Sequence, residues 1–312
     1  MGSQKELVPD FQFPEKYHTS QELNSDLMKL CDRYSDLISK HELGKSTNGK
    51  DIWGFIVHSD QRNLKKKPAS LIIGCHHGRE CITSEAVLYC LEYILEKYSE
   101  VNQIRNWIEK SVSIWIPMLN PDGHDIVIRK NGNQVDLNRN YTFNWGLVPG
   151  CSHDPYSQIY CGPSQLSEIE SQLINQMKII DDLFHKFKNI KSSLDMHSGA
   201  EIILYPWGYT REPAPDDALF KELCRQMEQK AVELQVEPFP SQPAVDLYPT
   251  SGTYIDHVYH FYNCISFVAE IYRGRWARNI WEFFNPPAEK YDAVCHRVLP
   301  LIFTIINHAT KA

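Results

Sequence analysis

Short, unbroken apolar runs that end in polar or titratable residues constrain this chain most. Leu71-Ile72-Ile73 is a continuous run of buried-strand length, Val112 to Leu119 reads as another strand, and Ile265 to Ile271 as the last clear one. Two further apolar runs lie around Leu194-Asp195-Met196 and at Ile202 to Tyr205. Segments of helical period separate them. Residues 20–40 carry Leu23, Leu27, Leu30 and Tyr34 on one face, with Gly44 beyond the stop. Ser84 to Tyr98, Leu166 to Ile180 and Ala218 to Leu234 follow, and a last helix closes the chain after Glu289. Ile52 to Val57 reads as a short strand entered through a Gly49-Lys50 turn, and Asn120-Pro121-Asp122-Gly123 as the turn that ends the Val112 strand. A strand covered on both faces is apolar throughout, so the pattern predicts an α/β layer fold with a mostly buried sheet. With no repeat, low-complexity tract or linker, one domain over residues 1–312 is expected, with 1–12 as an N-terminal extension.

Bulk properties remove several functions. Hydrophobic residues make up 42% and charged residues 23% of the chain, the balance of a folded globular protein. A net charge of −7 argues against general nucleic-acid binding, which needs a basic face. Nine cysteines is an odd count, and no CxxC pair points to a thiolate zinc knuckle. Met1 to Asp10 lacks the basic start and apolar core of a signal peptide, and Glu6 stands where a myristoylation motif at Gly2 needs Ser or Thr. No apolar run approaches the roughly 18 residues that span a membrane. The expectation is a cytoplasmic monomer, with an extracellular, processed domain as the alternative.

His77 and Glu80 form an H-x-x-E pair just after the first buried run. His197 follows the run at Leu194-Asp195-Met196, and Glu270 ends Phe267-Val268-Ala269. Alone, each is more readily a structural residue; His76 beside them reads as a satisfied core histidine. Together they sit at strand exits, where open α/β sheets bind ligands. Two imidazoles and one carboxylate suit a hydrolytic zinc with a fourth position for water, and a separate carboxylate must take the water's proton. His77, Glu80 and His197 fit the ligands of one Zn2+ per chain, and Glu270 fits the base.

These residues resemble the metallocarboxypeptidase family (M14-type) that includes the pancreatic carboxypeptidases A and B. The resemblance runs from Tyr17-His18-Thr19 and Gly44-Lys45-Ser46 past Glu270. It is strongest at Gly74-Cys75-His76-His77-Gly78-Arg79-Glu80, and continues through Asn120-Pro121-Asp122-Gly123, Asp136-Leu137-Asn138-Arg139-Asn140, His197-Ser198, Leu204-Tyr205-Pro206 and Tyr248. It implies a mixed, twisted β-sheet flanked by helices on both faces. It implies a zinc exopeptidase acting on peptide or protein C-termini, through a zinc-bound water activated by Glu270. By the same resemblance Asn138 and Arg139 hold the terminal carboxylate, Tyr248 closes over it, Arg129 stabilises the oxyanion, Arg79 contacts the substrate upstream, and Asp136 accepts from His77. A guanidinium grips a carboxylate through two charge-assisted bonds, which supports the choice of Arg139.

In this family the base of the specificity pocket separates basic from apolar preference. The matching residue is Ile255, with Leu204, Gly208, Thr250 and Val268 as neighbours, so hydrophobic or aromatic C-terminal residues are expected. Asp256 would point away if this stretch were extended. Gly199 replaces a tyrosine, which predicts a wider upstream subsite, and Cys81 replaces an aromatic. Cys151 and Cys161 resemble a disulfide-bearing family loop, with bridged and reduced forms equally open. The sequon Asn140-Tyr141-Thr142 lies beside the site and is expected to be unused. The alternatives are a zinc deacylase or amidase on N-acyl amino acids, and a non-catalytic peptide-binding relative. Serine-nucleophile and nucleotide motifs are absent: there is no G-x-S-x-G, and Ser39 stands where the first glycine of a phosphate loop ending in Gly44-Lys45-Ser46 belongs.

Overall fold

The computed structural model describes residues 12–60, 64, 66–176 and 189–312. Among them, eight strands form one sheet: β1 (Ile38–Lys45), β2 (Asp51–Val57), β3 (Ala69–Gly74), β4 (Val112–Ile116), β5 (Ile190–His197), β6 (Ile202–Tyr205), β7 (Ser241–Pro243) and β8 (Ile265–Glu270). Their order is β1-β2-β4-β3-β5-β8-β6-β7. The central strands β4, β3, β5 and β8 are parallel, while β1, β2 and β6 pair antiparallel with their neighbours toward the centre. This is the mixed sheet of the expected fold class.

The helices are α1 (Ser20–Arg33), α2 (Ile82–Glu96), α3 (Asn102–Lys110), α4 (Pro121–Asp125), α5 (Ile169–Gln176), α6 (Asp217–Glu233), α7 (Tyr254–Tyr262), α8 (Ile280–Phe284), α9 (Ala288–Arg297) and α10 (Leu299–Lys311). The period of two along each strand divides the core. Ile72, Trp115 and Phe267 face one side, with side chains of α2, α6 and α10. Leu71, Ile73, Ile114 and Val268 face the other, with Tyr141 and residues of α7. Both faces are covered, which is why the central strands carry no polar alternation. No helix among the described residues is long and apolar enough to cross a membrane.

Local chemistry explains several boundaries. Thr19 caps α1 by accepting from Glu22 N, and the Glu22 carboxylate accepts in return from Thr19 N at 2.9 Å. The helical pattern expected over 20–40 stops at Arg33, and 38–45 is instead the edge strand β1. That strand is mostly polar because one edge and part of its faces meet water, so it carries no apolar run to read. Asn120 to Gly123 is not a simple turn: Asn120 Oδ1 accepts from Gly123 N at 2.9 Å and caps the short α4. The closing segment is two helices, α9 and α10. The helix expected over Leu166 to Ile180 begins at Ile169, and its end at Ile180 lies outside the described residues. The expected extension over 1–12 also lies outside them, except for Gln12.

Candidate active site

Three parallel strands deliver the site. β3, β5 and β8 are neighbours and run the same way, so their C-terminal ends open onto one side of the sheet. His77 lies three residues beyond the end of β3, His197 ends β5 and Glu270 ends β8. His77 and Glu80 share a turn closed by Glu80 N donating to His77 O at 3.1 Å, which brings both side chains to one side. Thr83 anchors this loop: its hydroxyl donates to Glu80 O at 2.7 Å and accepts from Cys75 N at 3.0 Å. Gly78 lies against the backbone of α4, where an added Cβ would stand 2.1 Å from the Gly123 carbonyl carbon. The two glycine-containing motifs are thus one packed unit.

The donor set fits a metal ion. His77 Nδ1 is 2.8 Å from Glu80 Oε1, His197 Nδ1 is 3.0 Å from Glu80 Oε2, and the two Nδ1 atoms are 3.1 Å apart. Ligands at about 2.0–2.2 Å around a tetrahedral zinc stand at roughly this mutual separation. The far side of each ring supports the same tautomer. His77 Nε2 faces Asp136 Oδ1 at 3.1 Å and His197 Nε2 faces Asp195 Oδ2 at 2.8 Å. A carboxylate only accepts, so each Nε2 carries the hydrogen and each Nδ1 turns a lone pair inward. Burial opposes a charge on His197, yet Asp195 and Glu80 hold its imidazole well above the ordinary value, so this group of donors favours a positive charge at its centre, which a proton or a cation between the neutral rings and the carboxylate would supply.

Charge around the centre is arranged in layers. Burial opposes ionisation of Asp136, yet Arg129 and His77 hold its carboxyl well below the usual range. Arg129 grips Asp136 through Nε at 2.9 Å and Nη2 at 2.8 Å, and its Nη1 lies 3.4 Å from His77 Nδ1. Glu270 behaves oppositely: burial and the nearby Glu80 charge push it up to about 7. A carboxyl poised there can take and return a proton near neutrality.

A small cavity opens beside this centre, lined by His77, His197, Glu270, Asn138, Arg139 and Tyr248 around an apolar floor. Leu204, Ile255 and Val268 form that floor, with Thr250 at its side. Arg139 is buried; its Nη1 donates to Asn138 O at 2.6 Å, and its Nε has no hydrogen-bond partner. Asn138 Oδ1 accepts from Tyr254 N at 2.9 Å, which leaves its Nδ2 3.2 Å from the protonated Nε2 of His197. These are two donors in contact, and an anionic acceptor in the cavity would serve both Asn138 and Arg139. Tyr248 is 47% exposed at the mouth.

The structure therefore assembles eight of the expected site residues around one cavity, with Glu80, Asp136 and Arg129 directly behind them. Arg79 lies apart from the cavity lining, its guanidinium 4.2 Å from the centre of the Phe284 ring. Some expectations change. Gly208 is not part of the lining. Asp256 does turn away from the cavity, but for a different reason than strand alternation: it lies on the first turn of α7, where Gly208 N donates to both carboxylate oxygens at 3.1 and 3.0 Å. At Gly199, where a wider upstream subsite is expected, an added Cβ would stand 3.0 Å from the Phe284 ring. Asn140 Nδ2 is consumed by Cys161 O, Ser164 O and Ser167 Oγ, so the sequon nitrogen is buried and engaged. Cys151 and Cys161 are free thiols here, the Cys161 thiol pushed up to about 12 chiefly by burial.

Sequence reasoning overlooked Asp195 and the role of His76. His76 is indeed buried and satisfied, but its partners are Asp195 Oδ1 at 2.7 Å and Tyr141 Oη at 2.7 Å. The available signal was the D-x-H spacing within a strand, which puts Asp195 and His197 on one face.

Comparison with known proteins agrees with this geometry. The sequence model of the family described as zinc carboxypeptidase matches residues 23–299. Carboxypeptidase A1 of Rattus norvegicus is 27% identical over 311 residues, covering 95% of this chain and 70% of the relative. Metallocarboxypeptidase A of Trichophyton rubrum is 30% identical over 275 residues, covering 80% of this chain and 62% of the relative. This chain thus spans roughly two thirds of the length of such relatives. The crystal structure of carboxypeptidase A from Helicoverpa armigera superposes with a TM-score of 0.81 at 24% identity, covering 95% of this chain and 74% of that one. With the matched family model spanning the sheet and every residue of the metal-binding group, this chain belongs to the zinc carboxypeptidase family of metallopeptidases.

Proposed function

We propose that this chain removes the C-terminal residue of peptides, with a preference for hydrophobic or aromatic side chains, using one zinc ion held by His77, Glu80 and His197. The observation that carries the reading is the shared cavity: the partnerless Nε of Arg139, the two metal-facing histidines and Glu270 all border one apolar pocket. When bound, zinc polarises the scissile carbonyl and makes a water acidic enough to lose its proton near neutral pH.

The chain's own groups account for the rest. Arg139 and Asn138 bind the terminal carboxylate, which an internal peptide bond lacks, and so select chain ends. Tyr248 at the mouth closes over the bound residue. Ile255, Leu204 and Val268 surround its side chain; a buried lysine or arginine would find no counter-charge there and would lose its hydration. Glu270 accepts the proton of the attacking water and returns it to the leaving amine nitrogen. Arg129, held by Asp136, donates to the oxygen that gains negative charge.

Metal analysis with parallel assays on peptides ending in Phe and in Arg tests the reading. One zinc per chain, activity lost on chelation and restored by zinc, and faster release of Phe are expected. Absence of hydrolysis by the zinc-loaded chain would remove the activity, and preference for Arg would remove the pocket assignment.

A further inference from the structure

We infer that Asp195, His76 and Tyr141 form a positioning chain that sets the tautomer and orientation of His197 and thereby holds the metal; this rests on the zinc reading above. The four residues make an unbroken line. Tyr141 Oη is 2.7 Å from His76 Nε2, His76 Nδ1 is 2.7 Å from Asp195 Oδ1, and Asp195 Oδ2 is 2.8 Å from His197 Nε2. All four side chains are buried, with Tyr141, His76 and Asp195 at 0% exposure, so no water competes for these bonds.

The directions of the bonds follow from chemistry. The Asp195 carboxylate only accepts, so both imidazole nitrogens facing it carry hydrogens. His76, protonated at Nδ1, presents a lone pair at Nε2, and the Tyr141 hydroxyl donates to it. His197, protonated at Nε2, presents its Nδ1 lone pair toward Glu80 and His77. Each element contributes geometry. Asp195 and His197 lie two residues apart on β5 and share a face, while His76 leaves the end of the adjacent strand β3. The His76 and His197 rings stack at 5.9 Å with an interplanar angle of 16°, which restrains rotation of the metal-facing imidazole.

His77 has its own support in Asp136 and Arg129, which lie in the loop region between β4 and β5, whereas Asp195 supports His197 from within β5. His76, Asp195 and His197 could also be taken as a second metal site, since three donor atoms lie close together. The geometry favours hydrogen bonds, because each Asp195 oxygen already faces one ring nitrogen at hydrogen-bond distance.

The experiment measures zinc affinity of the metal-free full chain by competition with a chromophoric chelator, together with metal stoichiometry and the visible spectrum of the Co2+ form. A carboxamide accepts at only one oxygen, so Asp195→Asn cannot serve both rings, and its expected effect is about 10- to 100-fold weaker zinc binding. His76→Gln and Tyr141→Phe are expected to weaken zinc in the same direction by less, with a changed Co2+ spectrum; Tyr141→Phe keeps the packed shape and guards against a variant that fails to fold. The melting temperature of the metal-free form separates positioning from general destabilisation, because a purely structural role would lower it without altering the Co2+ spectrum. Wild-type affinity and spectrum in all three variants would overturn the positioning chain while leaving the zinc reading intact. Failure of the wild-type chain to bind zinc at all would instead overturn the reading on which it rests. Two metals per wild-type chain, one lost in Asp195→Asn and His76→Gln, would replace the chain with a second metal site.

Discussion

His197 and Glu270 are register partners at the ends of adjacent parallel strands. The pairing places a metal-facing imidazole and a raised-pKa carboxyl on neighbouring strands at the same height. Because both strands sit in the middle of a sheet covered on its two faces, their separation is fixed by backbone hydrogen bonds. A base held on a rigid strand beside the metal group has several measurable consequences.

Replacing Glu270 by Gln removes the proton acceptor and changes little else in shape. Turnover is expected to fall by about 10²- to 10⁴-fold with zinc content unchanged. Turnover within a factor of two of the wild-type chain would show that another group acts as base.

The pH dependence follows from the direction of the Glu270 shift. Burial and Glu80 push this carboxyl up to about 7, so it carries a proton below that value and cannot accept another. Activity is therefore expected to fall as pH drops through the neutral region, while zinc binding lowers the midpoint by favouring the charged form. A flat kcat/KM between pH 5 and 8 on the order of the wild-type maximum would contradict the assignment.

Arg139 recognises the chain end. Arg139→Ala removes a charge-assisted pair worth about 1.5–3 kcal/mol, or roughly 10- to 100-fold in kcat/KM. The wild-type chain is expected to discriminate strongly against an amidated C-terminus, and the variant to lose most of that discrimination. If both chains reject the amide equally, another residue reads the carboxylate.

The pocket floor sets side-chain preference. Ile255→Asp places a carboxylate against an otherwise apolar lining of Leu204 and Val268, and should shift the ratio of Arg to Phe release upward by about 10- to 100-fold, the worth of one charge-assisted bond. An unchanged ratio would mean that the substrate side chain does not enter this cavity.

Asp256 predicts a pH-dependent stability. Burial raises its carboxyl to about 7, against the opposing pull of the Gly208 amide and Arg139. Its folded value lies above the unfolded value of about 4, so the folded state binds an extra proton between them. The corresponding stability is present below pH of about 4 and is lost as pH rises through about 7. The metal-free wild-type chain should therefore lose melting temperature between pH 5 and 8 more steeply than Asp256→Asn, on the order of the neutral-range shift described by linkage. Parallel profiles would place the raised group elsewhere.

Much of this was legible in the residues. The runs at Leu71, Val112, Leu194 and Ile265 are apolar because helices cover both faces, and that burial makes them visible as strands. His77, Glu80, His197 and Glu270 were recognisable because their chemistry is unusual at the exits of such runs. β1 was invisible for the converse reason: an edge strand carries few obligatory apolar positions. The helix α7 was missed because Ile255 and Asp256 were read with a period of two, whereas Gly208 and the turn of α7 decide where Asp256 points. The role of His76 could not be read from its neighbours in sequence, since its partners Asp195 and Tyr141 are 119 and 65 residues away.

What the amino-acid order determined by itself is the set of chemical groups, the strands that carry them and the family to which they conform. Local periodicity and residue type suffice for that, because burial on a strand and the ligand preferences of zinc act residue by residue. Only the tertiary structure decided which groups meet: that the Phe284 ring packs close to Gly199, that Gly208 captures Asp256, and that Asp195 joins His76 to His197. Those outcomes depend on contacts between distant segments, where packing leaves room for one arrangement and hydrogen bonding selects its partners.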